Sequence, residues 1–147
     1  MTPNKALEAL AIHPNGTLYT LPEGARPHHK AIPLYAFTNN HWQLSHHIPR
    51  NAPFMPVGAD FDHKGRLYLL ERAVTPLGFR SRIRRFDIST PQLNEVTLLH
   101  TNPGALDNME AISVWKSATG VIHLTLIADD NFLAIQRTQI VEYALTE

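Results

Sequence analysis

Short apolar runs recur along the chain, separated by polar segments that contain glycine or proline. Several runs alternate apolar and polar residues, as strands with one buried face do, and none has the long 3.6-residue periodicity of a helix. The 11 prolines fall mostly between the runs, where turns are expected. The pattern therefore predicts an all-β fold built from many short strands.

The runs repeat three times. In each repeat two apolar runs flank a turn, and the turn glycines Gly16, Gly65 and Gly120 lie 49 and 55 residues apart. Glycine supplies the positive φ that a tight strand reversal needs, so each turn predicts a hairpin. The spacing is close to the length of a four-stranded propeller blade. We assign the repeats approximately to residues 4–52, 53–104 and 105–147 of a single partial domain.

A third strand is predicted after a loop in every repeat, and a fourth strand only in the first two. The third strands are predicted at residues 32–37, 81–88 and 138–145, and the fourth at residues 42–48 and 95–100. The sequence thus predicts three antiparallel blades, the last without its outer strand, which is half of a β-propeller. A small sandwich of about eleven strands is the alternative that this pattern leaves open.

Three blades alone would leave apolar faces and an unpaired strand edge exposed. Residues 1–5 are too few to supply the missing outer strand. We therefore expect a partner that completes the ring, which is either a missing N-terminal half or a second copy of the chain.

Composition narrows the range of partners and mechanisms. Acidic and basic residues number 13 each, so no net charge attracts nucleic acid or an anionic membrane. No segment is long enough to span a membrane, and no signal peptide is visible. Cysteine is absent, which excludes disulfides and thiolate chemistry. The sequence also lacks the nucleophile elbow of serine hydrolases and the His-Glu-x-x-His zinc motif.

Acidic residues recur at similar positions of the repeats, either after the second apolar run or within the first. Because equivalent strand ends of a propeller open on one face, we expect these side chains to converge there. Converging carboxylates repel each other unless a cation compensates them, and oxygen-rich sites suit calcium. The candidate metal ligands are Glu8, Glu23, Glu71, Glu110, Asp129, Asp130 and Asn131.

Two other interpretations of the charged residues stay open. Acids at strand ends also cap turns or pair with arginines such as Arg72 and Arg137. A run of arginines between residues 80 and 85 has the chemistry to bind phosphate. Strand alternation, however, sends Arg82 and Arg84 to one face and Arg85 to the other, which favours a solvated outer strand.

Three segments, residues 7–23, 65–86 and 107–138, carry a family resemblance and together span nearly the whole chain. The most specific part is Asp107-Asn108-Met109-Glu110-Ala111-Ile112 with Asp129-Asp130-Asn131-Phe132 and Gln136-Arg137-Thr138. In these segments the chain resembles the C-terminal half of the phytase-like family, which is also called the "esterase-like activity of phytase" family. One difference is that alanine follows Glu8 and Glu110, where the family often has glycine.

The resemblance implies a bacterial β-propeller protein that is exported to the periplasm or secreted. It also implies hydrolysis of a small phosphoric or carboxylic ester, with calcium held by acids at the channel and water activated there. On the matching positions the catalytic candidates are Glu71, Arg72, Glu110 and Arg137. A non-catalytic propeller that binds a ligand or a protein is the alternative.

Overall fold

The computed structural model describes residues 7–22, 30–132 and 136–146, and side chains from residue 9 onward. Within these ranges the chain forms eleven strands and no helix. The described residues accordingly include no helix of the length and hydrophobicity that crossing a membrane requires.

The described strands form three antiparallel sheets, each with its strands in sequence order. The first sheet contains β1 (Leu7–Ile12), β2 (Leu18–Pro22), β3 (Ala31–Thr38) and β4 (His41–Pro49). The second contains β5 (Met55–Phe61), β6 (Arg66–Thr75), β7 (Gly78–Asp87) and β8 (Asn94–His100). The third contains β9 (Met109–Lys116), β10 (Ile122–Ala128) and β11 (Ile140–Leu145). This confirms the all-β prediction, with sheets of four, four and three strands as expected of partial propeller blades.

The second sheet packs between the other two. Residues that alternate along β6 take part in both cores, with Leu67 and Leu69 facing the first sheet and Tyr68 and Leu70 facing the third. This double burial explains why residues 67–70 form an uninterrupted apolar run. The core between the first and second sheets includes Ala9, Leu21, Ile32, Leu34, Ile48, Phe61, Phe86 and Ile88. The core between the second and third sheets includes Ile83, Met109, Ile112, Val114, Leu124 and Leu126.

The first strands of the sheets lie side by side, β1 against β5 and β5 against β9. A Cβ at Gly58 of β5 would lie 3.2 Å from the backbone nitrogen of Ile112 in β9, so a larger residue would force the two strands apart by a few tenths of an ångström. Asp60 Oδ2 accepts a hydrogen bond of 2.6 Å from the backbone nitrogen of Val114, which fixes the register of the two strands. This is the arrangement expected of the innermost strands of neighbouring blades.

Asp62 organises the turn between β5 and β6. Its Oδ1 accepts hydrogen bonds from the backbone nitrogens of Lys64 and Arg66 at 2.9 and 3.0 Å, and its Oδ2 accepts one from Arg66 Nε at 2.6 Å. Burial alone would raise the pKa of Asp62, but these hydrogen bonds and the charge of Arg66 outweigh it and hold the pKa below its usual value. The ionised carboxylate therefore stabilises the turn at neutral pH.

The glycine turns form as predicted, with φ values of 88° at Gly16, 77° at Gly65 and 90° at Gly120. Gly65 has a second constraint, because an added Cβ would overlap Nε2 of His13 in the first sheet. The His13 ring itself packs edge-on against Phe61, with 5.0 Å between the ring centroids. The turn of the second sheet is thus fitted closely against the first sheet.

We expect Gly65→Ala to lower the free energy of unfolding by more than Gly16→Ala. Both variants force alanine to a positive φ, which costs about 1–2 kcal/mol. Only the alanine at residue 65 also meets a neighbouring ring, since a Cβ at Gly16 has no described atom within 4 Å. That steric conflict adds about 1–3 kcal/mol. Urea denaturation of the two variants compares the losses, and equal losses would contradict the fit of His13 against this turn.

Candidate functional site

A polar cluster lies where the second and third sheets meet, at the end of the sheets away from the glycine turns. Arg72 Nη1 donates hydrogen bonds to Glu110 Oε1 at 2.8 Å and to Asn108 Oδ1. Asn108 Nδ2 donates to the same Glu110 oxygen at 2.7 Å and to the Asp129 carbonyl at 3.3 Å. The three side chains therefore hold one another in place.

Strand alternation explains how these residues meet. Arg72 lies on the same face of β6 as Tyr68 and Leu70, which pack against the third sheet. Its side chain consequently reaches across the interface to the start of β9. There Asn108 is almost fully buried, whereas the Glu110 side chain keeps 41% of its exposure. The cluster thus has an anchored part and a part open to solvent.

A cleft of about 420 Å³ lies beside the cluster. Phe79 connects the two, because it lines the cleft and the centroid of its ring lies 5.6 Å from the guanidinium carbon of Arg72. Arg72 itself lines a smaller cleft of about 280 Å³. The larger cleft is lined by Gly78, Phe79, Gly104, Ala105, Leu106, Asp107, Gln136, Arg137 and Gln139.

Arg137 is one of the residues that line the cleft of about 420 Å³. Its backbone nitrogen donates to Asp107 Oδ2 at 2.7 Å, and Gln139 Oε1 accepts from the Asp107 nitrogen at 3.3 Å. These bonds hold the segment before β11 against the start of β9. The Arg137 side chain is exposed, and within the described part of the chain its guanidinium makes no hydrogen bond or ion pair. Arg137 therefore adds a positive charge to the lining of the cleft.

The three polar residues after β10 form a turn next to this site. Asp129 Oδ1 accepts from the Asn131 nitrogen at 3.1 Å, and Asp130 accepts from the Phe132 nitrogen at 2.9 Å and from Thr138 Oγ1 at 3.1 Å. Asn131 and Phe132 both have positive φ, at 48° and 56°. The carboxylate oxygens of Asp129 and Asp130 thus accept hydrogen bonds that stabilise the turn.

Glu71 lies away from this cluster, because neighbours in a strand point to opposite faces and Glu71 faces the first sheet. Its Oε1 accepts from Arg84 Nη2 at 2.5 Å, and its Oε2 accepts from Arg82 Nε and Arg84 Nε, both at 2.8 Å. The strand also continues to Thr75, so Glu71 is not at a strand end as the apolar run suggested. The structure therefore separates Glu71 from Arg72, Glu110 and Arg137.

Two arginines of β7 are buried, although the sequence pattern predicted a solvated strand. Arg82 and Arg84 share a face, as predicted, but both are buried rather than solvated. Arg84 also pairs with Glu95 at 3.0 Å. Burial would lower the pKa of Arg84, but the hydrogen bonds and charges of Glu71 and Glu95 outweigh it and raise the pKa further. The solvated-strand interpretation was wrong because acids from two neighbouring strands compensate these cations.

The structure describes the side chains of only some of the predicted metal ligands. Glu23 and the side chain of Glu8 lie outside the described residues. Among the residues that are described, no three histidine or acidic side chains are grouped as metal ligands would be. The calcium ligand set therefore stays a prediction, and the described acids do not form such a site by themselves.

The sequence patterns did not predict three residues of this site, namely Asn108, Phe79 and Asp107. Asn108 and Asp107 belong to the segment with the most specific family resemblance, and two polar residues directly before Met109-Glu110 were the available signal. Phe79 gave no comparable signal, because its role depends on contact with Arg72 across the β6–β7 hairpin.

The geometry can be compared with known families. The family model named Phytase-like, described as esterase-like activity of phytase, matches residues 1–132. The chain belongs to this family. The phytase-like match includes Arg72, Asn108 and Glu110 and ends before Arg137. A comparison with curated proteins finds no match. Membership of the phytase-like family supports a phytase-like function of the esterase or phosphatase type in general.

Proposed function

We propose that the chain hydrolyses a small phosphoric or carboxylic ester in the cleft beside Arg72, Asn108 and Glu110. The observation that carries this proposal is the position of Glu110 at the solvent-exposed side of the cluster. Its Oε1 accepts hydrogen bonds from both Arg72 and Asn108, which orients the carboxylate, and the side chain is 41% exposed, so water can reach it. A carboxylate fixed in this way has the geometry of a general base that takes a proton from an attacking water.

The arginines supply the complementary charge. Arg137 binds the anionic group of the substrate, because a guanidinium matches phosphate and carboxylate oxygens with two parallel hydrogen bonds. Arg72 stabilises the negative charge that develops in the transition state, which is the larger contribution in many hydrolases. The ring of Phe79 offers an apolar wall to the rest of the substrate.

Replacing Arg137 with glutamine tests the substrate part of this proposal. We expect KM for p-nitrophenyl phosphate to rise about tenfold with little change in kcat, since the residue binds ground state and transition state alike. KM for the uncharged p-nitrophenyl acetate should change little. Lys116→Gln is the matched control, an exposed cation at the opposite end of the third sheet. An unchanged KM for the phosphate ester would contradict the role of Arg137.

A calcium requirement is a separate part of the proposal. It is supported by the carboxylate side chains that the sequence predicts as calcium ligands. It requires Glu8 and Glu23 to lie near Glu110. We expect EDTA to lower the rate of ester hydrolysis at least tenfold and calcium to restore it. A rate unaffected by EDTA would remove calcium from the proposal and leave the general-base role of Glu110 in place.

A non-catalytic binding module is the second candidate function. It is favoured by the exposed apolar residues of the first sheet, among them Leu10, Ile12 and Leu44, which are typical of an interaction surface. This alternative predicts binding without turnover.

We also propose that the protein is exported to the periplasm or secreted into the medium, which the family resemblance supports. Fractionation of producing cells tests this proposal.

A further inference from the structure

The first sheet has an open apolar face, defined here by two rows of residues that run across its four strands. Strand pairing aligns the members of each row, so their side chains point to the same side. The exposed fractions are 62% for Leu10, 61% for Ile12 and 51% for Leu44. One row contains Ile12, Leu18, Phe37 and Trp42, and the next contains Leu10, Thr20, Tyr35 and Leu44.

This face has the character of a covered surface. The rings of Phe37 and Trp42 contact each other at 5.2 Å between centroids, which makes the apolar area continuous. A sheet that buries one face normally presents polar residues on the other. The first sheet carries exposed apolar side chains on its open face in addition to those in its core. The second sheet, which has apolar residues on both faces, is packed on both sides. We infer that a partner covers the open apolar face.

The third sheet carries the other unpacked face of the described structure. Trp115, Ile127 and Ile140 are exposed on it by 42%, 44% and 72%. Trp115 stacks on His123 at 4.3 Å between ring centroids, and His123 pairs with Glu142 at 3.0 Å. This face therefore has apolar patches whose neighbouring polar groups are already satisfied within the sheet, so covering it leaves few polar groups unpaired.

We propose that a second copy of the chain covers the open apolar face, with the third sheet of each copy on the first sheet of the other. This contact continues an interface already present, because the first sheet packs on the second and the second on the third within the chain. Two copies give six sheets, which lies within the usual range of about four to eight propeller blades. A ring closed in this way also ends association at the dimer.

Charge does not oppose this association. The formal net charge of the chain is zero, so two copies have no overall repulsion. The two faces are different surfaces of the chain, so the interface is heterologous and requires both of them intact. The proposal does not rest on the proposed ester hydrolysis.

The test is the mass in solution, by sedimentation velocity over a concentration series of the whole chain. We expect the wild type to be a dimer. A first-sheet variant (Leu10→Lys with Leu44→Lys) and a third-sheet variant (Ile127→Lys with Ile140→Lys) should each weaken dimerisation at least 100-fold. Leu77→Lys is the matched control, because Leu77 is 78% exposed in the β6–β7 turn, outside both faces. It should remain a dimer.

Mixing the two variants gives the sharpest result. Each variant retains the face that the other has lost, so an equimolar mixture should form a heterodimer through one intact interface. A wild type that is monomeric at every concentration would overturn the proposal. So would a third-sheet variant that still dimerises, because the first sheets would then be contacting each other. Circular dichroism checks that these exposed substitutions leave the fold intact.

Discussion

Replacing Glu71 with glutamine is expected to lower the free energy of unfolding by about 3–5 kcal/mol. Glu71 and Arg84 are fully buried, and the Arg82 side chain is only 9% exposed. The variant removes the negative charge that both guanidinium groups face and leaves Glu95 as the acidic partner of Arg84 within the described part of the chain. Two buried cations are then poorly compensated, which costs far more than losing a surface ion pair. Urea denaturation at neutral pH measures the change.

Glu95→Gln is the matched control for this prediction. Glu95 pairs with the same Arg84 but keeps 28% of its side-chain exposure, so we expect its loss to cost about 1–2 kcal/mol. A loss at Glu71 no larger than the loss at Glu95 would contradict the buried network. Because Glu71 faces away from the cleft, the folded fraction of Glu71→Gln should keep its KM for the ester substrate.

Replacing Arg72 with methionine is expected to lower kcat/KM for ester hydrolysis by about 100-fold or more. The substitution removes the donor to Glu110 Oε1 and Asn108 Oδ1, and with it the charge next to the reacting group. Stability should fall by about 1–3 kcal/mol, because the buried Asn108 Oδ1 loses its donor, whereas the Glu110 side chain is 41% exposed and water can solvate it. Steady-state kinetics on p-nitrophenyl phosphate, together with urea denaturation, separate the two effects.

Arg72→Lys distinguishes charge from geometry. Lysine keeps the positive charge but has a compact ammonium on a flexible stem, so we expect an intermediate rate. If Arg72→Met hydrolyses the ester as fast as the wild type, Arg72 has no part in the reaction. If it loses activity only by unfolding, its role is to hold the two sheets together.

Much of the fold follows from local sequence patterns. The turn glycines specify hairpins because their φ values exclude most other residues, and alternation within β7 separates Arg82 and Arg84 from Arg85. The predicted third and fourth strands accordingly agree with the observed ones to within about three residues at each end. Such signals lie within one strand or one turn, where a sequence can be read directly.

The candidate site depends on contacts that local patterns do not contain. Glu71 and Arg72 are neighbours in sequence, yet one joins a buried network with β7 and the other crosses to β9. Which of the two faces the third sheet is decided by the packing of whole sheets. The burial of Arg84 could not be predicted from the sequence either. Glu71 and Glu95 compensate its positive charge only when three strands are paired.

The most direct test of the proposed function is ester hydrolysis by the purified chain and by its Glu110→Gln variant, measured side by side with calcium present. We predict that the wild type hydrolyses p-nitrophenyl phosphate or p-nitrophenyl acetate. The variant should be slower by about 100-fold at nearly unchanged stability, because glutamine keeps the shape of Glu110 but takes up no proton. Equal rates for the two proteins, or no hydrolysis by the wild type, would contradict a hydrolytic site at Glu110.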